Sequence, residues 1–310
     1  MRPIRLEPRP REARGLTLIE LVVAMVLVAI IAGATIYFVY PLRQAVDVTT
    51  RAELTDAADN ALQRIGREVR LALPNSVRVD ATRRYLEFIP VRDAGRYRAD
   101  GGGPSSGANC GDTGVGVPAS DQLSFDVVDT CFKTIGSLSN AASITANDWV
   151  VLNNYGPGFA GQDAYAVAGT LNRRRIAAAV VDGTRERISI TSVTAFDRTL
   201  HDSPGKRFYI VNGTAAGLPE PVTFDCSGGA LIRRWGYQMT AAQPALLASF
   251  VGGTSQSIAN NVGDCIFEYV PNTGPQIGLL TLRLTLSQAR SDGGNETVTL
   301  YHSVHVSNLP

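Results

Sequence analysis

Several chemistries are missing from this sequence. Its charges nearly cancel, at +1 over 310 residues, so it lacks the basic face with which nucleic-acid binders hold phosphates, and no nucleic-acid partner is expected. It has only three histidines. His302 and His305 stand three apart in a strand-like stretch and so face opposite ways, while His201 is alone in a turn-like H-D-S-P-G-K; surface or edge positions are the plain reading of all three. The four cysteines include no Cys-x-x-Cys pair, which removes the usual zinc patterns. There is no G-x-S-x-G and no Walker A sequence. Asp292 with Gly293, Gly294 and Asn295 lacks the alternating acids of a calcium loop and reads as a turn. The chain is therefore expected to have no catalytic set, no metal and no cofactor. The basic clusters Arg83-Arg84, Arg173-Arg174-Arg175 and Arg233-Arg234 read as solvated strand ends. No internal repeat is visible, and with 45% apolar residues the composition gives no sign of disorder.

What is present is concentrated at the N-terminus. Five arginines (Arg2, Arg5, Arg9, Arg11 and Arg14) precede a long apolar run, and residues 21–40 carry no charge at all. Twenty helical residues span roughly 30 Å, the thickness of a bilayer's hydrocarbon core. Arginine is denser before the run than after it, where only Arg43 and Arg51 lie close. The positive-inside rule thus keeps the leader in the cytoplasm and sends the C-terminal bulk across. Glu20 interrupts this picture. A lone carboxylate at the edge of an apolar span is costly and is usually functional, with a partner. A plain anchor gains nothing from it, although a hydrated position at the interface would also accommodate it.

Residues 15–20 read G-L-T-L-I-E, directly before the apolar run. This resembles the type IV prepilin signal. The resemblance implies cleavage between Gly15 and Leu16 by a membrane-embedded prepilin peptidase, which then methylates the new N-terminus on Leu16. It also implies that Glu20 is the fifth residue of the mature chain, where the family carries its glutamate. Gly15 offers no side chain, so a peptidase can approach the backbone closely. The cationic amine left on Leu16 can pair with Glu20 of its own chain or a neighbour, which makes Glu20 a registry device between helices. One competing signal exists. Ala32-Gly33-Ala34 is a small-residue site of the kind secretory peptidases use, and cutting there would release a soluble protein starting at Thr35. The apolar run continuing through Ile36, Tyr37, Phe38, Val39 and Tyr40 argues against it.

Beyond Pro41, where a kink or break is expected, Leu54, Ala57, Ala58, Ala61, Leu62, Ile65, Val69 and Ala72 repeat at three- and four-residue spacing. They form the stripe of an amphipathic helix that Pro74 ends. Many pilins carry their proline a few residues earlier, at the place Tyr37 occupies. The reading divides the chain into a leader at residues 1–15, a long helix at 16–73 with its transmembrane part at 16–40, and a β-rich domain at 74–310. Strands are predicted at 76–79, 85–90, 123–128, 149–153, 175–181, 187–194, 207–211, 222–225, 231–237, 265–269, 279–286 and 296–306, the last two as a hairpin. The fold class is α+β: a long N-terminal helix packed on a large antiparallel sheet domain, as in pilins. In an exported domain the even cysteine count suits two disulfides. Sequence order pairs Cys110 with Cys131 and Cys226 with Cys265, with three connectivities open.

The stretches R-E-V-R-L-A-L-P-N-S-V-R-V at 67–79, L-E-F-I-P-V at 86–91, Gly95-Arg96-Tyr97, and V-H-V-S-N-L-P at 304–310 resemble the MshO group, minor prepilin-like proteins of the mannose-sensitive haemagglutinin (MSHA) pilus. The resemblance implies a minor pilin of the inner membrane, with a cytoplasmic N-terminus and periplasmic bulk before assembly. Its partners would be the prepilin peptidase and methyltransferase, other pilin subunits and an inner-membrane assembly platform, with adhesion a further role. A minor pseudopilin of a type II secretion system fits the same N-terminus. A signal-anchored periplasmic enzyme or binding module is the reading from another class.

Overall fold

The structure is a computed structural model that describes residues 17–99, 122–169, 171–182, 185–214, 217–244, 250–274, 277–290 and 293–310. Gly15, Leu16 and Cys110 therefore lie outside the described residues. The chain opens on α1 (Leu18–Arg70), a helix of 53 residues and roughly 80 Å. Thr17 caps it: its Oγ1 accepts from the Glu20 N–H at 3.3 Å. The helix is continuous through Pro41, whose missing N–H leaves the Tyr37 carbonyl without its usual bond.

The helix stops three residues short of the predicted end. Pro74 disfavours helical geometry at Leu73, and the sheet takes over the intervening backbone. The Leu73 N–H donates to the Ile89 carbonyl and the Val91 N–H to the Leu71 carbonyl, each at 2.8 Å. Asn75 then turns the chain with φ 60°, a left-handed conformation that asparagine tolerates better than most residues.

Among the described residues fourteen strands follow: β1 (Arg78–Val79), β2 (Tyr85–Phe88), β3 (Val91–Arg96), β4 (Cys131–Lys133), β5 (Trp149–Leu152), β6 (Arg173–Asp182), β7 (Arg185–Thr191), β8 (Arg207–Val211), β9 (Val222–Asp225), β10 (Ala230–Trp235), β11 (Thr254–Asn260), β12 (Val262–Gly274), β13 (Ile277–Ala289) and β14 (Asn295–Ser307). They form three antiparallel sheets, ordered β1-β2-β9-β10-β11, β12-β13-β14 and β3-β8-β5-β6-β7-β4. The predicted hairpin is β13–β14, in register from Ile277↔Ser307 to Ala289↔Asn295.

Residues 123–128 are not the strand that was predicted. Asp126 takes φ 65°, and the Asp129 carboxylate accepts from the backbone N–H groups of Ser124 at 2.7 Å and Cys131 at 3.0 Å. The segment closes into a loop that side-chain acceptors satisfy in place of a ladder.

One core lies under the helix. Leu54, Ala58, Ala61, Leu62, Ile65 and Val69 meet the inward residues of β13 and β14, with Leu86, Phe88 and Phe224 from the five-stranded sheet. The Cys226–Cys265 disulfide, with Cα atoms 6.1 Å apart, ties the end of β9 to β12 beside this core. Closing a loop of about 40 residues is worth about 4 kcal/mol in the chain-entropy account. Cys131 is also disulfide-bonded. A second core fills the six-stranded sheet with Tyr97, Phe125, Phe132, Phe196 and Phe208. Leu73, Ile89, Val151, Tyr165 and Val211 form a smaller cluster just beyond the end of α1.

Gly66 explains how closely helix and sheet approach. A Cβ there would lie 2.9 Å from His302 Nε2 and 3.2 Å from Val304 Cγ2. Glycine inside a helix costs on the order of 1 kcal/mol, and close packing against β14 offsets it.

Candidate functional site

The docked stripe of α1 has no counterpart in its first half. Leu18–Phe38 has a mean hydropathy of 2.6, and none of it is buried. Leu18 is 83% exposed and Tyr37 76%. Fourteen large apolar side chains stand free on this one segment. Each is worth roughly 1.5–3 kcal/mol when removed from water, so leaving them all hydrated would cost tens of kcal/mol. The 21 residues of the segment rise roughly 30 Å, the depth of a hydrocarbon core. Its polar groups are prepared for such a medium: the Thr35 hydroxyl donates back to the Ile31 carbonyl at 2.6 Å.

Glu20 sits in the first turn of this segment, exposed. Thr17 and Glu20 stand at the two anchoring positions of a capping box, Ser/Thr-x-x-Glu, and one of its two bonds is present. The carboxylate also lies at the positive end of the helix dipole, which lowers the cost of its charge. Reading T-L-I-E as a cap was open from the sequence and was missed beside the registry role.

A comparison with known protein families agrees with this geometry. Residues 10–36 match the model of the prokaryotic N-terminal methylation motif. Such a motif indicates a type IV pilin-like or pseudopilin-like N-terminus, and it implies processing by prepilin peptidase and assembly with other pilins. No curated protein and no solved structure matches the chain.

Elsewhere in the chain the buried polar groups are braced against one another. Arg78 and Glu87 form an ion pair at 3.2 Å, with the Glu87 side chain fully buried. The guanidinium also donates to the carbonyls of Thr240 at 2.9 Å and Ala241 at 2.7 Å, and lies 3.6 Å above the Tyr165 ring. Burial pushes the Glu87 carboxyl up to about 7 while Arg78 pulls it back. Tyr165 donates to the Ser76 carbonyl at 2.9 Å. All three guanidinium nitrogens of Arg78 are thus engaged, and the group braces the strands and loop around it.

A cleft of about 610 Å³ lies alongside, lined by Asn75, Arg78, Tyr155, Phe159, Tyr269 and Asn308. Its amides are taken up internally: Asn75 donates to the Asn154 and Asn308 carbonyls, and Asn308 to the Pro271 carbonyl and the Tyr269 hydroxyl.

Two sequence readings are corrected here. His201 is not a surface histidine but fully buried. Its Nδ1 accepts from the Asp197 N–H at 3.0 Å, which leaves the proton on Nε2 to donate to the Gly161 carbonyl at 2.8 Å. Burial lowers its pKa. Arg173 and Arg174 are not solvated strand ends. They are 1% and 6% exposed, because their guanidiniums fasten loop carbonyls: Ala164 and Ala166 for Arg173, Thr194 and Ala195 for Arg174. Arg175 alone of the three points out. His302 and His305 occupy opposite faces of β14, the first against Gly66 and the second in solvent. Among the described residues no three His, Cys, Asp or Glu side chains converge as metal ligands would.

Proposed function

We propose that the chain is a minor pilin of an MSHA-like type IV pilus. Residues 1–15 serve as its cytoplasmic leader, cut between Gly15 and Leu16. Leu16 becomes the N-methylated terminus, and Glu20 meets a terminal amine to set the axial offset between neighbouring helices. Before assembly, Leu18–Phe38 holds the protein in the inner membrane with residues 74–310 on the periplasmic side. The assembly platform then draws it into the filament. The observation that carries this reading is the wholly exposed apolar half of α1, nearly all of which lies within the methylation motif.

The bulk beyond the helix supports a subunit of low copy number over a major one, because so large a head hinders uniform packing. Adhesion through that head is part of the proposal. The same N-terminus supports a minor pseudopilin of a type II secretion system as the second reading. Deleting the gene separates them. Loss of surface filaments with secretion intact supports the pilus. Loss of protein secretion with filaments intact transfers the subunit to a pseudopilus. An unchanged strain with the protein absent from both assemblies overturns the proposal.

A further inference from the structure

The loop from Tyr155 to Gln162 sets two aromatic rings at the mouth of the cleft beside Asn75. Tyr155 is 38% exposed and Phe159 52%, and their ring centroids lie 5.5 Å apart with the planes inclined at 45°. Glycines at 156, 158 and 161 would leave such a stretch loose, yet its backbone is closed on itself. The Tyr155 and Gly156 N–H groups both donate to the Gln162 carbonyl, at 2.8 and 3.1 Å, and the Phe159 N–H donates to the Gly156 carbonyl at 3.3 Å. The Gln162 side-chain amide donates to the Leu200 carbonyl at 2.7 Å. Gly156 lets the loop lie directly on the turn after α1: its φ is 83°, and a Cβ there would come within 2.3 Å of the Asn75 carbonyl oxygen. Two apolar rings are thus held in water on a fixed scaffold, arranged for contact before any partner arrives.

The cleft has little with which to hold a charged or strongly polar ligand. Arg78 is the only charged side chain in its lining, and its charge is answered by Glu87. Asn75 commits both amide hydrogens to the Asn154 and Asn308 carbonyls, and Asn308 commits both of its own to the Tyr269 hydroxyl and the Pro271 carbonyl. What remains is ring surface from Tyr155, Phe159, Tyr269, Pro157 and Pro271. The Tyr155 hydroxyl also remains, since it makes no hydrogen bond among the described residues. A sugar or a nucleotide, held through many directed hydrogen bonds, finds few free donors here. A polyproline II segment does not need them. It is ordered before it binds, presents apolar pyrrolidine rings, and docks in aromatic-lined grooves.

We propose that this cleft binds an extended, proline-bearing segment of a partner protein, with pyrrolidine rings packed on Tyr155, Phe159 and Tyr269 and the Tyr155 hydroxyl donating to a carbonyl of the ligand. The inference concerns the head alone and stands apart from the filament reading: it holds for a pilus and for a pseudopilus alike.

The test titrates the full-length chain in detergent with fluorescein-labelled decaproline and follows the anisotropy. Saturable binding is expected, displaced by unlabelled decaproline but not by a Gly-Ser decapeptide or by maltoheptaose. Phe159→Ala and Tyr155→Ala should each weaken it by about tenfold or more, and Tyr155→Phe, which keeps the ring and removes the donor, by about two- to tenfold. Both rings are exposed, so the unfolding midpoints of the three variants should match the parent's, which separates a lost contact from a lost fold. Because the cleft is neutral, added salt should leave the affinity unchanged. Absence of saturable binding, or full binding by Phe159→Ala, overturns the proposal. Displacement by maltoheptaose would make the cleft a sugar site, and an affinity that falls with salt would assign the contact to charges; either result overturns it as well.

Discussion

Leu18–Phe38 and residues 54–69 belong to one helix, yet their apolar side chains answer to different surroundings. In the second stretch Leu54, Ala58, Leu62, Ile65 and Val69 form a stripe that β13, β14 and the five-stranded sheet cover, with charges on the opposite face. In the first, apolar side chains point in every direction and none is covered. A helix that is apolar all round needs a surround that is apolar all round, which the rest of this chain does not provide. The difference teaches that the two halves have different surroundings: the domain covers one, and the other presents an apolar surface long enough to cross a membrane.

The glycines follow the same division. At Gly33 a Cβ would meet nothing within 4 Å, whereas at Gly66 it would strike His302.

The comparison is broken most forcefully by cutting between the halves. A chain that starts at residue 39 should leave the membrane fraction and become soluble, since tens of kcal/mol of apolar transfer go with the missing segment. Its domain should still unfold within about 2 °C of the full chain's midpoint, because the deleted part makes no contact with it. Calorimetry and fractionation read both effects, and a large drop in the midpoint would show that the first half does support the domain.

Next in size, Ile65→Ala should destabilise the domain by about 2–5 kcal/mol, while Val26→Ala should leave denaturant unfolding of the detergent-solubilised protein unchanged. Equal costs would erase the distinction. Gly66→Leu should cost about 1–3 kcal/mol through overpacking. Gly33→Leu should cost the domain nothing, and a matched loss at Gly33 would reveal a neighbour there.

The smallest effect concerns the platform on which the second half docks. In the folded protein, burial holds Glu87 protonated up to about 7 and Asp129 up to about 6, whereas unfolded carboxyls release their protons near pH 4. The folded state thus binds more protons between those values, and its stability should fall as pH rises through that window, by about 1–3 kcal/mol. Glu87→Gln should flatten the slope, although it destabilises overall by leaving Arg78 without its partner. An unaltered slope would assign the effect to other groups.

Much of this arrangement was legible in the sequence where one physical signal dominated. β8 and β9 sit at the predicted bounds because short apolar β-formers between turns leave few alternatives. The β13–β14 hairpin was marked by the turn residues Ser291, Asp292, Gly293 and Gly294 between two runs of β-formers. The apolar span and the spaced glutamate were equally plain.

Elements decided by tertiary context were not legible. β11 is T-S-Q-S-I-A-N, almost wholly polar, and is a strand because β10 offers it a ladder at the sheet's edge. β3 is broken by charges and Gly95, and it was passed over although β8 pairs with most of it. Arg173, Arg174 and His201 look like surface residues until loop carbonyls that their spacing does not disclose close over them. The last turn of α1 was overcalled because the stripe continues through Ala72, while the backbone there had a better partner in the chain around Ile89.

The central claim, that the free half of α1 is a processed membrane and filament segment, is tested most directly by mass spectrometry of the N-terminus of the protein taken from membranes. The account predicts a chain that begins at Leu16 with a methylated amine. A chain that begins at Thr35 would be a released soluble protein, and one that keeps Met1 would be an ordinary signal anchor; either result contradicts it.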